Sequence, residues 1–304
     1  MNNILDTIGN TPLAKIEKLN PSTKSGQAPK DKFSNRVNIF AKLEGFNPTG
    51  SIKDRIVLAM VEKTEKERTL TPDKTIIEPT SGNTGISLSM IGTVKGYKVK
   101  IVMPESMSVI KRKIIKIFGA ELILIKDKDW RDGVIKFTKK LAEKNKNLVM
   151  LNQYENEANV KTHYKTTGKE ILDQLSESCS LTVDYFIAGL GTGGTITGIG
   201  KRLREKYPNI KIIGIQPKLS SNIEGLKSLK EGYVPPILDQ KIIDKIVEVG
   251  EKDALFWQKQ LAEKEGIFAG VSSGAAMFVA QKIAGRIKKG NIVTIFPDRG
   301  EKYL

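Results

Sequence analysis

Residues 183–217 read VDYFIAGLGTGGTITGIGKRLREKYPNIKIIGIQP: a β-branched apolar run, a glycine-rich turn, an amphipathic stretch and a second apolar run. This order predicts a strand, a helix and a parallel second strand, the βαβ unit of α/β proteins. Gly189, Gly191 and Gly194 formally match the GxGxxG dinucleotide fingerprint. A dinucleotide site, however, needs an acidic residue at the end of the next strand to hold the ribose, and this strand ends in Gln216. The loop Gly191, Thr192, Gly193, Gly194 and Thr195 can instead cradle one phosphate, using backbone N–H groups at a helix N-terminus and two threonine hydroxyls. A monophosphate ligand is therefore expected rather than NAD.

The same alternation extends outward. Apolar runs at VNIFAKLE (37–44), KTIIEPT (74–80), KVKIVMP (98–104), AELILIK (120–126), NLVMLNQ (147–153) and NIVTIFPD (291–298) are separated by longer amphipathic stretches. The pattern predicts an α/β fold with mostly parallel sheets and with its chemistry at the carboxyl ends of the strands. At 304 residues the chain is long enough for two modest domains or one large one. Residues Pro21 to Arg36 are polar and rich in turn formers, so they read as an exposed loop, and Lys218 to Gly232 form a second polar segment.

Composition excludes several classes. The formal charge is +16, with 50 Lys and Arg against 34 Asp and Glu. These cations are spread along the chain rather than gathered into an arm, which favours a solvated surface that attracts anionic substrates over a nucleic-acid site. One cysteine, Cys179, rules out an intramolecular disulfide, and no Cys/His cluster has zinc spacing, so no metal is expected. The N-terminus MNNILDTIGNTPL lacks a basic region followed by an apolar core, and no apolar run approaches the ~18 residues of a membrane helix. A soluble, unexported, cytoplasmic protein is the expectation.

Four segments carry candidate chemistry. In EGFNPTGSIKDRIVLAMVEK (44–63), turn residues lead to Ser51 as the expected N-cap of a helix from about Ile52, which puts Lys53 in its first turn. There the helix dipole opposes a cation and favours the neutral amine that a nucleophilic lysine needs. In EPTSGNTGISLSMIG (78–92), Thr80, Ser81, Gly82, Asn83 and Thr84 lie between a strand and an apolar helix, an arrangement suited to a carboxylate. The phosphate loop is the third segment, and GIFAGVSSGAA (266–276), with Ser272 at a helix start, is the fourth. Taken singly, each is also an ordinary turn or cap.

Together, NPTGSIKDR, EPTSGNTG, GTGGT and GVSSGAA, in this order, resemble the cysteine synthase and cystathionine β-synthase family of pyridoxal-phosphate (PLP) enzymes. The likeness runs from IGNTPL near Gly9 to the C-terminal DRGEKYL. It implies the tryptophan synthase β-like fold type II, two three-layer α/β/α domains with mostly parallel sheets. The smaller would span residues 40–152 and the larger residues 1–39 with 153–304. By the same resemblance Lys53 is the Schiff-base lysine and Asn83 the partner of the PLP ring hydroxyl. Gly191 to Thr195 hold the phosphate, and Ser272 faces the pyridine nitrogen. Thr80, Ser81, Gly82, Thr84 and Gln153 bind the substrate carboxylate. A serine beside the pyridine, unlike an aspartate, does not stabilise a pyridinium, which suits β-elimination more than transamination.

The implied reaction is β-replacement on an activated serine, O-acetylserine or O-phosphoserine, through an α-aminoacrylate to L-cysteine. Alternatives are a cystathionine β-synthase or related lyase, and a non-catalytic basic binding protein. A homodimer is implied too. The single histidine, His163, falls in a stretch usual for the family and reads as a supporting residue, since the resemblance gives proton transfer to the lysine. The segment MPESMSVIKRKII resembles the mobile part of the smaller domain. The ending FPDRGEKYL is similar to the B-type and archaeal branch, and the short segment after Gln216 lacks the longer A-type insert. Lys218, Lys227, Lys230 and Arg299 match the region that tunes substrate choice in that branch, with Arg299 expected at the substrate. The chain stops at Leu304 where many relatives continue, so a truncated C-terminus is an expectation.

Overall fold

The computed structural model describes residues 3–21, 37–80, 82–126, 131–179, 182–219 and 221–304. The expected loop from Pro21 to Arg36 lies almost wholly outside the described residues, as does Ser81. The strands are β1 (Leu13–Ile16), β2 (Val37–Leu43), β3 (Thr75–Pro79), β4 (Lys98–Pro104), β5 (Glu121–Ile125), β6 (Leu148–Met150), β7 (Tyr185–Gly189), β8 (Lys211–Pro217), β9 (Lys245–Val249) and β10 (Gly290–Phe296). The helices are α1 (Lys53–Lys66), α2 (Asn83–Lys95), α3 (Val109–Ile117), α4 (Arg131–Lys144), α5 (Ala158–Lys165), α6 (Thr167–Cys179), α7 (Gly194–Lys206), α8 (Glu251–Gln260) and α9 (Val271–Ala284).

The eight runs read as strands all became strands, because parallel strands covered on both faces need apolar residues at successive positions. In the smaller sheet, ordered β5-β4-β3-β6 and parallel throughout, Ile76, Ile101 and Met103 join the core beneath α1, α2 and α3. Their neighbours Ile77 and Val102 turn to the other face and meet Val134 of α4. In the larger sheet, ordered β1-β2-β10-β7-β8-β9, Ile39, Ile187, Ile215 and Ile292 pack with α8 and α9, while Phe40, Phe186, Ile212 and Val293 pack with α6 and α7. Each sheet is thus the middle of three layers. The pattern missed β1 and β9, which are half-exposed edge strands without continuous apolar runs, and β1 is antiparallel to β2.

The expected domain boundary at residue 40 falls inside β2, whose seven residues all pair with β10. A strand cannot be divided between two sheets, so the chain leaves the larger sheet after Leu43 and returns to it at β7. Both sheets have a point where the strand order reverses. In the larger sheet β7 is followed by β8 on one side, while β10 closes the other. In the smaller sheet β4 lies on one side of β3 and β6 on the other. Such reversals leave a crevice at the carboxyl ends of the flanking strands. The two crevices share one cleft.

Candidate active site

Lys53 enters the cleft from β2 through a 3₁₀ turn at Glu44–Phe46. Ile52, rather than the expected Ser51, occupies the N-cap place of α1, and its N–H donates to Pro297 O at 2.8 Å. Ser51 instead forms a backbone bridge to Asp298, and its hydroxyl accepts from the Lys53 N–H at 3.3 Å. The lysine is therefore anchored to the end of β10. Burial pushes its amine down to about 8, against the opposing pull of the Asp298 carboxylate.

Lys53, Asn83, Gly191, Thr192, Gly193, Thr195 and Ser272 line one lobe of the cleft, together with Gly225, Leu226 and Asp298. Thr80, Thr84 and Gln153 line an adjoining lobe that shares Lys53, Asn83, Gly191 and Thr192 with the first. Residues from both sheets thus surround one amine.

The glycine-rich turn needs its glycines. Gly193 has φ +88°, where a side chain is strained, and a Cβ there would lie 2.7 Å from Leu238 Cβ. Gly194 lies just behind the loop, where a Cβ would run into Asn159. Asn159 in turn donates to Thr192 Oγ1 and to Gln153 O, each at 3.0 Å, coupling the glycine-rich loop to the second lobe. Because α7 begins at Gly194, its first N–H groups have no partner within the helix. His163 supports this loop: Nε2 lies 3.2 Å from Thr195 Oγ1, and Nδ1 lies 3.0 Å from Thr167 Oγ1. Burial, then the charges of Arg55 and Lys53, hold its pKa well below the ordinary histidine value, so the ring is neutral.

The second lobe is built by β3 and β6. Thr84 Oγ1 donates to Gln153 Oε1 at 2.8 Å, and Gln153 Nε2 reaches Pro79 O at 3.3 Å. The buried Glu78 carboxyl accepts from the N–H groups of Asn152 and Gln153 at 2.9 and 3.0 Å, and burial pushes it up to about 7. Gly82 is covered by Lys111 rather than lining the lobe. Asn156, three residues after Gln153, spends its side chain on Leu151 O and the Ala158 N–H.

The structure also adds residues that the motifs did not mark. Asp298 accepts from Asn83 Nδ2 at 2.6 Å and from the Tyr303 hydroxyl, while Lys302 donates to Asn83 Oδ1 at 3.0 Å. Tyr154, Glu224, Gly225, Leu226, Lys227 and Tyr303 complete the second lobe. Asp298 had a legible signal, since it lies two residues past the end of β10. Arg299 stands apart: its Nε donates to Gly45 O at 2.6 Å, and it lines a separate cavity with Phe46 and Phe268. Lys230 pairs with Glu248, whereas Lys227 faces the second lobe with its ammonium 4.3 Å from the Tyr233 ring centroid. Among the described residues no group of three or more His, Cys, Asp or Glu could hold a metal, and no helix is long and apolar enough to cross a membrane.

Residues 4–298 match the family described as pyridoxal-phosphate dependent enzyme. A cysteine synthase of Staphylococcus aureus is 41% identical over 312 residues, covering 100% of this chain and 96% of the relative. Among solved structures, an O-ureido-L-serine synthase superposes with a TM-score of 0.88 at 35% identity, covering 100% of this chain and 93% of the other. A hydrogen sulfide-producing enzyme from Fusobacterium nucleatum gives 0.87 at 39% identity, covering 100% of both chains.

Proposed function

The chain belongs to the pyridoxal-phosphate dependent enzymes, and from that premise we propose that it makes L-cysteine by replacing the β-substituent of an activated serine with a sulfur nucleophile. The observation that carries this reading is the convergence on Lys53 of the glycine-rich start of α7 on one side and of Thr80, Thr84 and Gln153 on the other. Bound PLP supplies an electron sink for the α-carbon. The residues present fit it: a depressed amine at Lys53, N–H groups at the start of α7 that have no partner within the helix, and the Ser272 side chain in the same lobe. In this reading Lys53 attaches the cofactor and Gly191 to Thr195 take its phosphate. Asn83 meets the ring hydroxyl and Ser272 the ring nitrogen.

Thr80, Thr84 and Gln153, with Ser81 of the same turn, orient the substrate carboxylate, while Gly82 lets the Lys111 stem pass over that turn. Lys53 then moves the α-proton, and its depressed pKa keeps a useful fraction of free amine near neutral pH. Lys227, which faces the second lobe, replaces Arg299 as the cation placed to favour an anionic leaving group or sulfur donor. The protein works in the cytoplasm as a homodimer in this reading, and the exposed Phe46 and Phe268 around one cavity supply a surface of the kind that partners cover.

The test is a kinetic comparison of O-acetylserine, O-phosphoserine and serine, each with sulfide, thiosulfate and homocysteine, in the wild type, Lys227→Gln and Arg299→Ala. Cysteine formation from one of the activated serines supports the reading. Preference for serine with homocysteine would move the assignment to cystathionine β-synthase. If Arg299→Ala alone changes the ratios for anionic substrates, the specificity role returns to Arg299.

A further inference from the structure

Lys111, on α3, is a cation in an unusual place, since its side chain is 1% exposed. Its stem runs over Gly82 in the turn before α2, where a Cβ would lie 2.6 Å from Lys111 Cδ. Its ammonium pairs with the Glu224 carboxylate and lies 4.2 Å from the centroid of the Tyr303 ring. These partners come from three separate parts of the chain. Lys111 belongs to the layer over the smaller sheet, Glu224 to the segment that follows β8 of the larger sheet, and Tyr303 to the C-terminal 3₁₀ turn Gly300–Tyr303. Glu224 and Tyr303 both line the second lobe, and Gly225 and Leu226, which follow Glu224, line both lobes.

We propose that the Lys111–Glu224 ion pair, seated on Tyr303, is a clasp that fastens α3 to the 221–227 segment across the mouth of the cleft and must part to admit an amino-acid substrate. The asymmetry of the pair gives the mechanism. Glu224 is 27% exposed and can swing into water, whereas Lys111 has no such path while α3 stays in place. Parting the pair with α3 fixed strands a buried ammonium, which is far costlier than breaking a surface bridge. Opening therefore moves α3 together with the Gly82 turn beneath it. The turn that receives the substrate carboxylate and the segment that covers the site are thus released in one event. This inference goes beyond the proposed reaction and does not depend on which serine derivative is used.

The test is hydrogen–deuterium exchange of the holoenzyme, without substrate, read in peptides covering 107–117 and 221–227. Glu224→Gln is expected to raise exchange in both peptides about tenfold while β7 and β10 stay protected. Lys111→Met should act on the same two peptides, and the double variant should add nothing to the larger single effect. Glu224→Asp, which keeps the charge, should restore most of the protection. The clasp is overturned if Glu224→Gln loosens only 221–227, or if the two single effects add. Glu224 is partly exposed, so its variants remain informative even if Lys111→Met does not fold. Exchange is measured without turnover, so failure here leaves the cysteine reading untouched, and failure of that reading leaves the clasp standing.

Discussion

Asn83 Nδ2 donates to Asp298 Oδ2 at 2.6 Å, joining the start of α2 on the smaller sheet to the end of β10 on the larger one. The two residues lie 215 positions apart and both face Lys53 in the same lobe. Burial raises the Asp298 carboxyl, while the hydrogen bonds from Tyr303 and Asn83 and the charges of Lys302 and Lys111 oppose it. Its charge also raises Lys53. Asp298→Asn should therefore shift the Lys53 amine further toward acid pH without unfolding the protein. The rate of aldehyde labelling of Lys53 in cofactor-free protein, followed against pH, reads this directly. A midpoint that stays put or moves alkaline would rule out the electrostatic link.

Lys53 itself is a source of instability before the cofactor binds. Its folded pKa of about 8 is below the ordinary value of about 10.4, so between those values the unfolded chain holds more protons. Stability of the cofactor-free protein should rise with pH across that window, with the penalty complete below about 8. Lys53→Met should melt higher than the wild type at pH 7, lose this advantage near pH 10.5, and show no yellow colour or turnover. Borohydride reduction of the wild-type holoenzyme followed by peptide mass spectrometry should place pyridoxyl on Lys53. Label on another lysine would end the assignment.

Ser272 lies in the first turn of α9 and is 6% exposed within the lobe that also contains Lys53. Ser272→Asp would put a carboxylate where a neutral hydroxyl stands and favour protonation of the pyridine. A changed visible spectrum and slower β-replacement are expected, with the fold retained by circular dichroism. Unchanged kinetics and spectra would leave Ser272 as part of the helix start alone.

His163 should act on the glycine-rich loop, through Thr195, without titrating there. Since its folded pKa is depressed, the unfolded chain takes up a proton below about 6.5 that the folded state refuses, and stability drops as pH falls through that value. The difference in unfolding free energy between wild type and His163→Gln should carry this slope. Loss of the Thr195 contact should also weaken PLP retention by about fivefold, through one hydrogen bond of roughly 1 kcal/mol. Equal retention would mean that the contact does not position Thr195.

Behind α1, Glu170 accepts from Arg55 Nη1 and Nη2 at 2.6 and 2.7 Å and pairs with Lys42 Nζ at 2.7 Å. Burial alone would raise its pKa, but the two cations outweigh it and hold the carboxyl at about 2. The group therefore stabilises the fold fully above the ordinary value of about 4.3, and this contribution fades as pH falls toward about 2. Glu170→Gln should cost about 3 kcal/mol at pH 7 by denaturant titration, because it leaves two buried cations short of a partner. A cost that did not shrink in acid would contradict the linkage.

Much of this protein was legible in its sequence. Parallel strands covered on both faces require apolar runs, and the eight such runs all became strands; the half-exposed edge strands β1 and β9 carry no such run and escaped notice. The four motifs were readable because each is local: a few consecutive residues build a turn before a helix, and the backbone itself presents the binding groups. Lys53, Asn83, the GTGGT loop and Ser272 were named from such signals, Gln153 only from the family resemblance, and the structure brings them to one cleft.

What the sequence could not determine were the contacts between segments far apart in the chain. Arg299 looked like a substrate ligand because the ending FPDRGEKYL resembles the B-type branch, yet its guanidinium turns to Gly45 O, while the preceding residue, Asp298, faces the lobe. Successive side chains leave an extended backbone on opposite sides, so one position decides which of two neighbours meets a ligand. Lys111 and Glu224 were two charges among many until folding buried one and aimed it at the other. The amino-acid sequence determined the strands, the turns and the reactive groups. Only the tertiary structure decided which charges share a low-dielectric space, because burial and pairing depend on distances that the chain does not encode locally.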